Sequence, residues 1–307
     1  MSNQKVPRIT NLWSKVADGE KGQWLSNLFI ESTRPFEYTY GRNDDKTIFI
    51  RSKNTILNMP EGKITINDGI VREALLKQDA QDTVFEFRLE QPAEFHLETF
   101  DLFPFRLQLA INRAALSKVF AGKTIIIDPA HGGNDTGGRG QVSLLEKDVV
   151  MPIAHNLEKL LKRAGANAVL TRQGDEDVPQ EVRCQLARRE NADVYISLHT
   201  FSSTDREVSG AAVKYPVNSK AGLALATYVQ EELLKKIKVK DRGIAEELED
   251  VLPADIPAAK VEVVTITNIV EEVSLRGLTF QERAAEGVFN GIRNYFAVNQ
   301  ADLKVNK

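Results

Sequence analysis

From Lys123 to the end of the chain, short β-favouring segments alternate with amphipathic helical segments, and this alternation constrains the fold more than any other feature. Strands are predicted at 124–127, "NAVLT", "DVYISLH", "AAVKY" and "KVEVVTIT", and helices at 148–164, 180–191, 219–237 and 279–296. Strands that alternate with helices form a largely parallel sheet. We therefore predict an α/β domain over 119–307, whose mostly parallel sheet is covered by helices on both faces.

The first 118 residues show a different pattern. They contain both tryptophans, Trp13 and Trp24, and in "TVFEFRLE" apolar side chains alternate with charged ones. Such alternation is typical of strands with one buried face, and "KTIFIRS", "KITIND" and "FRLQLAI" have the same character. We predict that residues 1–118 form a small all-β domain, either a sandwich or a small barrel.

The composition excludes several classes of protein. The net charge of -3 gives no basic field that would favour nucleic acid. A single cysteine, Cys184, excludes an intrachain disulfide and a thiolate-cluster zinc site. No stretch approaches the roughly 18 apolar residues of a membrane span, and the first residues, "MSNQKVPRIT", contain no apolar core of signal-peptide length. We expect a monomer without a membrane span.

Two of the four histidines, His131 and His199, each lie just past the C-terminal end of a predicted apolar strand. Ligands bind at this edge in open α/β sheets, so we interpret both histidines as metal ligands. A role in satisfied hydrogen bonds is the alternative. His96 on an alternating strand and His155 among charged helix residues are interpreted as structural or solvated side chains.

Two glutamates complete the candidate site. Glu146 ends the glycine-rich loop, either as a carboxylate favoured by the helix dipole or as a third metal ligand that leaves one position open. Glu262 stands among valines, where burial without a partner is costly. If this strand lies at an exposed edge of the sheet, Glu262 needs no partner. If the strand is central, Glu262 lies near the metal, where it could transfer protons. The loop "GGNDTGGRG" does not match nucleotide-binding motifs, so no cofactor-binding residues are predicted.

The motifs "IIIDPAHGGNDTGGRG…LLEKD", "VLTR", "RCQLARRENADVYISLHT", "DRGI" and "IPAAKVEVVTITN", in this order, resemble the zinc-dependent N-acetylmuramoyl-L-alanine amidases of the amidase_3 family. The resemblance implies one Zn²⁺ per chain, held by His131, Glu146 and His199, with Glu262 as the catalytic residue. It also implies peptidoglycan as the partner. The reaction would be hydrolysis of the amide bond between N-acetylmuramic acid and the L-alanine of the stem peptide.

The chain departs from the family's pattern beside these residues. Ala130 replaces a usual glycine, Phe201 a usual asparagine, and Val264 and Thr265 a usual Gly-Phe pair. These departures leave the substrate preference and the rate open. They motivate two alternatives: a non-catalytic peptidoglycan-binding or regulatory protein on an amidase scaffold, and a zinc hydrolase of another amide. The segment between "DRGI" and "IPAAKVE" is too short for the inhibitory helix of some members, so we expect an uncovered site.

The N-terminal region resembles, more weakly, the AMIN domain that often precedes such amidases, on the segment "EFHLETFDLFPFRLQLAINR". This resemblance implies targeting to the envelope or to peptidoglycan, and the alternative is a β-domain that only packs against the catalytic domain. The family usually works outside the cytoplasm, which implies the periplasm or the cell wall. No leader is visible, so a cytoplasmic location stays open, and the sequence does not identify an activator.

Overall fold

The protein is described from a computed structural model that covers residues 6–20, 22–249 and 251–305. The chain divides into two compact units, Met1–Lys118 and Val119–Lys307. The strands of the first unit are β1 (Arg8–Asp18), β2 (Trp24–Ser32), β3 (Tyr38–Asp44), β4 (Thr47–Ser52), β5 (Ile56–Leu57), β6 (Gly62–Thr65), β7 (Val71–Asp79), β8 (Asp82–Leu89), β9 (Phe95–Phe100) and β10 (Phe105–Asn112). A 3₁₀ helix (Arg113–Leu116) and the single-turn helix α1 (Ser117–Phe120) follow.

The first unit is built from two five-stranded sheets. Their strand orders are β5-β1-β2-β10-β9 and β3-β4-β8-β7-β6. Neighbouring strands are antiparallel except for the short β1–β5 pair. Alternate side chains along β4 and β8 are buried, including Ile48, Ile50, Phe85 and Phe87. The segments with alternating apolar residues are therefore strands, and the all-β prediction for this region is confirmed.

The second unit is an α/β domain, as predicted. Its elements are β11 (Thr124–Pro129), α2 (Glu146–Arg163), β12 (Asn167–Leu170), α3 (Gln180–Arg189), β13 (Val194–Phe201), β14 (Ala211–Pro216), α4 (Lys220–Ile237), β15 (Asp241–Glu247), β16 (Ala258–Thr265), α5 (Ile269–Leu275) and α6 (Leu278–Val305). They form one six-stranded sheet of order β12-β11-β13-β16-β14-β15. All neighbours are parallel except β14, which runs antiparallel to β16.

Helices cover both faces of this sheet. Ala187 of α3 packs in one cluster with Ile126, Tyr195 and Ala258 of the central strands. Helix α2 packs on β11, β12 and β13, helix α4 packs on β14, β15 and β16, and both helices contact α6. The central strands β11, β13 and β16 are almost continuously buried, as expected for parallel strands covered on two sides.

The sequence pattern did not predict two elements of this unit, β15 and α5. Strand β15 is rich in charged residues and only one of its seven residues is buried, which weakens any periodic signal. Helix α5 has only seven residues, too few to establish a helical period. Within the described residues, no helix combines the length and the apolarity that a membrane crossing requires.

Candidate metal centre

His131 follows strand β11 in a left-handed backbone conformation, with φ of 63°. A non-glycine residue in this region is strained, so the surroundings must hold it. Two buried arginines do so through the carbonyl groups of the turn. Arg172 donates from Nε to the carbonyl of Pro129 at 2.8 Å and from Nη2 to that of Ala130 at 3.0 Å. Arg183 donates from Nη2 to the carbonyl of His131 itself at 2.7 Å.

Glu146 is the first residue of α2, and its side chain is 4% exposed. Its Oε2 accepts from the backbone N–H of Gly138 at 2.7 Å, and its Oε1 accepts from that of Thr200 at 2.7 Å. The glycine-rich loop thus returns the chain from β11 so that this carboxylate reaches β13. A Cβ on Gly137, which has φ of 64°, would collide with the His131 ring, so the loop needs glycine at this position.

The structure brings His131, Glu146 and His199 together. His131 Nε2 lies 3.3 Å from Glu146 Oε2, and His199 Nδ1 lies 3.1 Å from Glu146 Oε1. One ligand atom from each side chain lies within 4.8 Å of the others. Two imidazoles and a carboxylate at such distances match the donor set of catalytic zinc sites, so these residues fit a zinc ion. Asp135 contacts His131 Nδ1 at 2.7 Å and orients the ring, as outer carboxylates do for metal-binding histidines.

The surroundings of Glu146 and of His131 shift the pKa values of these two side chains. Burial acts to raise the pKa of Glu146, but hydrogen bonds and charge interactions with His131 and His199 outweigh it and hold the pKa well below its usual range. Burial acts to lower the pKa of His131, yet its interactions with Glu146 and Asp135 raise that pKa overall. Glu146 is therefore ionised at neutral pH, as a metal ligand must be.

Glu262 lies on the central strand β16, directly opposite His199 of β13. The edge-strand explanation of this glutamate is therefore wrong. Glu262 is 3% exposed, and its carboxylate forms two ion pairs. Glu262 Oε2 accepts from Arg242 Nη2 at 2.9 Å, and Glu262 Oε1 lies 3.1 Å from Lys214 Nζ. Two cations thus compensate the charge that the strand buries.

One cleft of about 580 Å³ is lined by all four predicted site residues. Val251, from the segment between β15 and β16, also lines this cleft. The remaining histidines lie elsewhere: His96 is on β9 of the first unit, and His155 is exposed on α2. Both residues are exposed, which fits the solvated role interpreted from the sequence.

Sequence reasoning did not assign the residues that support this site. Arg172 and Arg183 stand within the quoted motifs "VLTR" and "RCQLARREN", but nothing local shows that they bind the turn at His131. Lys214 and Arg242 come from β14 and β15, which lie two and three places along the sheet from β13. The one sequence signal for such partners was Glu262 itself, because burying its carboxylate without a partner is costly.

Comparisons with known proteins agree with this geometry. The family model described as Amidase_3, N-acetylmuramoyl-L-alanine amidase, matches residues 125–294. The N-acetylmuramoyl-L-alanine amidase AmiC of Escherichia coli is 30% identical over 219 residues, which cover 56% of this chain. That match spans only 52% of AmiC, so about half of this relative has no counterpart in the alignment.

Two solved structures are similar in fold. The amidase AmiC2 of Nostoc punctiforme is 34% identical with a TM-score of 0.55, covering 58% of this chain and 99% of the other. The CwlD amidase of Clostridioides difficile, solved in complex with the GerS lipoprotein, is 26% identical with a TM-score of 0.55, covering 58% and 100%. The family match extends over more than half of the 307 residues. The chain belongs to the amidase_3 family of N-acetylmuramoyl-L-alanine amidases.

Proposed function

We propose that this chain is a zinc-dependent amidase that cleaves the bond between N-acetylmuramic acid and the L-alanine of the peptidoglycan stem peptide. One observation carries the proposal: the ligand atoms of His131, Glu146 and His199 lie within 4.8 Å of one another, in a cleft that Glu262 also lines. Family membership supplies the substrate class. We assign the three clustered residues as ligands of one Zn²⁺ and Glu262 as the catalytic residue.

The roles of the side chains follow from their chemistry. When bound, zinc would supply a Lewis acid that polarises the amide carbonyl and lowers the pKa of water from 15.7 towards about 7. Glu262 would accept a proton from the attacking water and deliver it to the departing nitrogen of L-alanine. Asp135 would keep His131 in the tautomer that presents Nε2 to the metal. Arg242 and Lys214 would hold the Glu262 carboxylate at the cleft.

For the N-terminal unit, we propose an AMIN-like role in bringing the enzyme to peptidoglycan or to the envelope. Its two antiparallel sheets support an AMIN-like architecture, and the catalytic unit's substrate supports a location in the periplasm or the cell wall. We further propose that the chain acts as a monomer. The complex of the CwlD amidase with a lipoprotein supports a protein activator as a class of partner for this enzyme.

The test is hydrolysis of purified peptidoglycan by the full chain. New L-alanine amino termini would be counted with zinc, after chelation and after zinc is added back. We expect release that stops on chelation and returns with zinc. Glu262→Gln should keep its zinc, measured by mass spectrometry, but lose turnover. Glu181→Gln, a substitution on the exposed surface of α3, is the matched control and should retain both.

Three results would contradict the proposal or one of its assignments. Folded, zinc-loaded protein that releases no amine would favour the non-catalytic peptidoglycan-binding or regulatory alternative. Faster cleavage of unrelated acyl-amides than of muramoyl peptides would favour a zinc hydrolase with another substrate. Glu262→Gln with undiminished turnover would remove this residue from the mechanism while leaving the metal assignment in place.

A further inference from the structure

Arg242 reaches Glu262 across an intervening strand. It belongs to β15, and β14 separates that strand from β16. The residue of β14 aligned with Glu262 is Ala212, whose small side chain leaves space for the guanidinium to pass. Arg242 Nη2 then donates to Glu262 Oε2 at 2.9 Å. Its Nη1 is buried and makes no hydrogen bond within the described part of the chain.

Phe201 meets the guanidinium from the opposite side of β16. Its ring centroid lies 3.6 Å from Arg242 Cζ, a close cation–π contact. Phe201 is on β13 and Arg242 is on β15, so the two side chains approach Glu262 of β16 from opposite sides. This is also the position at which the chain departs from the asparagine that its family usually has. The departure therefore has a specific contact partner in this chain.

Two β-bulges direct these side chains. In the β14–β15 pair, Arg242 and Gly243 stand opposite a single residue of β14, and Gly243 has φ of 91°. In the β13–β16 pair, Val263 and Val264 stand opposite the one residue between His199 and Phe201. Bulges bend a strand and re-aim a side chain, often beside an active site. Both irregularities lie next to Glu262, one on each side.

We propose that Phe201 and Arg242 act as one positioning pair that fixes the direction of the Glu262 carboxylate. Lys214 compensates the same carboxylate, but its ammonium is a point charge on a flexible stem, and its side chain is 29% exposed. The planar guanidinium donates in fixed directions, and the ring face confines that plane. A misplacement of about 1 Å at a catalytic group costs on the order of a hundredfold in rate, so such confinement matters.

This inference rests on the proposed function, because it concerns the orientation of the proposed catalytic group. It is tested by kinetics of the full, zinc-loaded chain on a soluble muramoyl peptide. Removal of an outer partner typically costs about 10–100-fold. We expect Arg242→Lys to lower kcat in that range and Phe201→Leu by about 10-fold, with KM little changed. The double variant should be no slower than Arg242→Lys, because either change breaks the same unit.

Several controls separate positioning from general stability. Phe201→Tyr keeps an aromatic face and should lose much less than Phe201→Leu. Arg188→Lys, in an exposed pair with Asp255, should leave kcat and KM unchanged. Zinc content and the thermal unfolding midpoint should be similar for Phe201→Leu and wild type. If Arg242→Lys does not fold, the comparison of the two Phe201 variants decides.

The outcomes are distinct. Undiminished kcat in Phe201→Leu, or losses that multiply in the double variant, would overturn the positioning pair while the amidase activity stands. A loss of kcat that merely follows loss of zinc or of fold would also overturn it. A zinc-loaded wild type that releases no amine would overturn the proposed function and, with it, this inference.

Discussion

Breaking the buried ion pair between Asp128 and Arg183 by removing the arginine should strongly destabilise the catalytic unit. Arg183 Nη1 lies 2.6 Å from Asp128 Oδ1, and their side chains are 4% and 2% exposed. Arg183 also donates to the carbonyls of Val178, Pro129 and His131. Arg183→Leu leaves a buried carboxylate without its arginine partner, which costs about 3–5 kcal/mol, and the loss of the donor to the carbonyls of Val178 and His131 adds to that cost.

The pH dependence of this loss gives a sharper test. Burial acts to raise the pKa of Asp128, but the charge of Arg183 and hydrogen bonds from Thr171, Arg183 and Ser197 outweigh it and lower the pKa. A lowered carboxyl pKa contributes stability above the unfolded value of about 3.9, and that stability is lost as pH falls through the folded pKa. Without Arg183, burial dominates, so the pKa rises above the unfolded value. In Arg183→Leu, the contribution of Asp128 to the free energy of unfolding then falls as pH increases from about 4.

The assay is urea unfolding of metal-free protein between about pH 4 and pH 7. Both tryptophans, Trp13 and Trp24, lie in the N-terminal unit, so their fluorescence follows that unit. Far-ultraviolet circular dichroism follows the second unit, which holds the long helices. The dichroism transition of Arg183→Leu should lose at least about 3 kcal/mol at pH 7, and less towards pH 4.

The control substitution is Arg188→Leu on the same helix, whose pair with Asp255 has side chains that are 51% and 55% exposed. Exposed pairs contribute at most about 1 kcal/mol, and that variant should show little pH dependence. A loss below about 1 kcal/mol for Arg183→Leu, or a loss that stays constant with pH, would refute the reasoning.

Three further predictions concern the loop and the metal. Gly137 has φ of 64°, and in Gly137→Ala the added Cβ would collide with the His131 ring. The zinc affinity, measured against a competing chelator, should therefore fall at least about 10-fold. The control is Gly174→Ala, whose added Cβ would lie 3.5 Å from its nearest neighbour, and its zinc affinity should match that of wild type. His199→Ala removes a proposed ligand and should leave the protein without zinc after dialysis, as measured by mass spectrometry; retained zinc would contradict the assignment. The buried Glu272 carboxylate accepts from the N–H groups of residues 142 and 144, so Glu272→Gln should speed hydrogen exchange of these loop amides but not of α6, and equal exchange would contradict that role.

The predictable part of the fold is the part where burial imposes a period. Strands β11, β13 and β16 are apolar because both of their faces are covered, and the long helices bury one stripe each, so the spacing of apolar residues along the sequence located them. Helix α5 lacks such a period because its buried residues include Glu271 and Glu272. These carboxylates accept backbone N–H groups from Gly210, Thr265 and the glycine-rich loop, which a sequence pattern counts as exposed charge.

The candidate site also contains residues that the sequence predicts and residues that it does not. His131 and His199 could be predicted because each stands at the end of a buried strand, where residue type and position together have few explanations. The partners of Glu262 could not, because Lys214 and Arg242 arrive from an antiparallel strand and a bulged edge strand. The buried carboxylate nevertheless required such partners wherever they came from.

The departures from the family pattern at Phe201, Val264 and Thr265, and the unpredicted strand β15, all lie around the buried carboxylate of Glu262. A bulge at Val263 and Val264 in β16 places Thr265 opposite Phe201, and a bulge in β15 aims Arg242 at the same point. An asparagine at position 201 would not offer the guanidinium an aromatic face. We infer that Phe201 cannot be judged as an isolated loss of a family residue, because its contact with Arg242 confines a cation that Glu262 needs once the sheet has buried it.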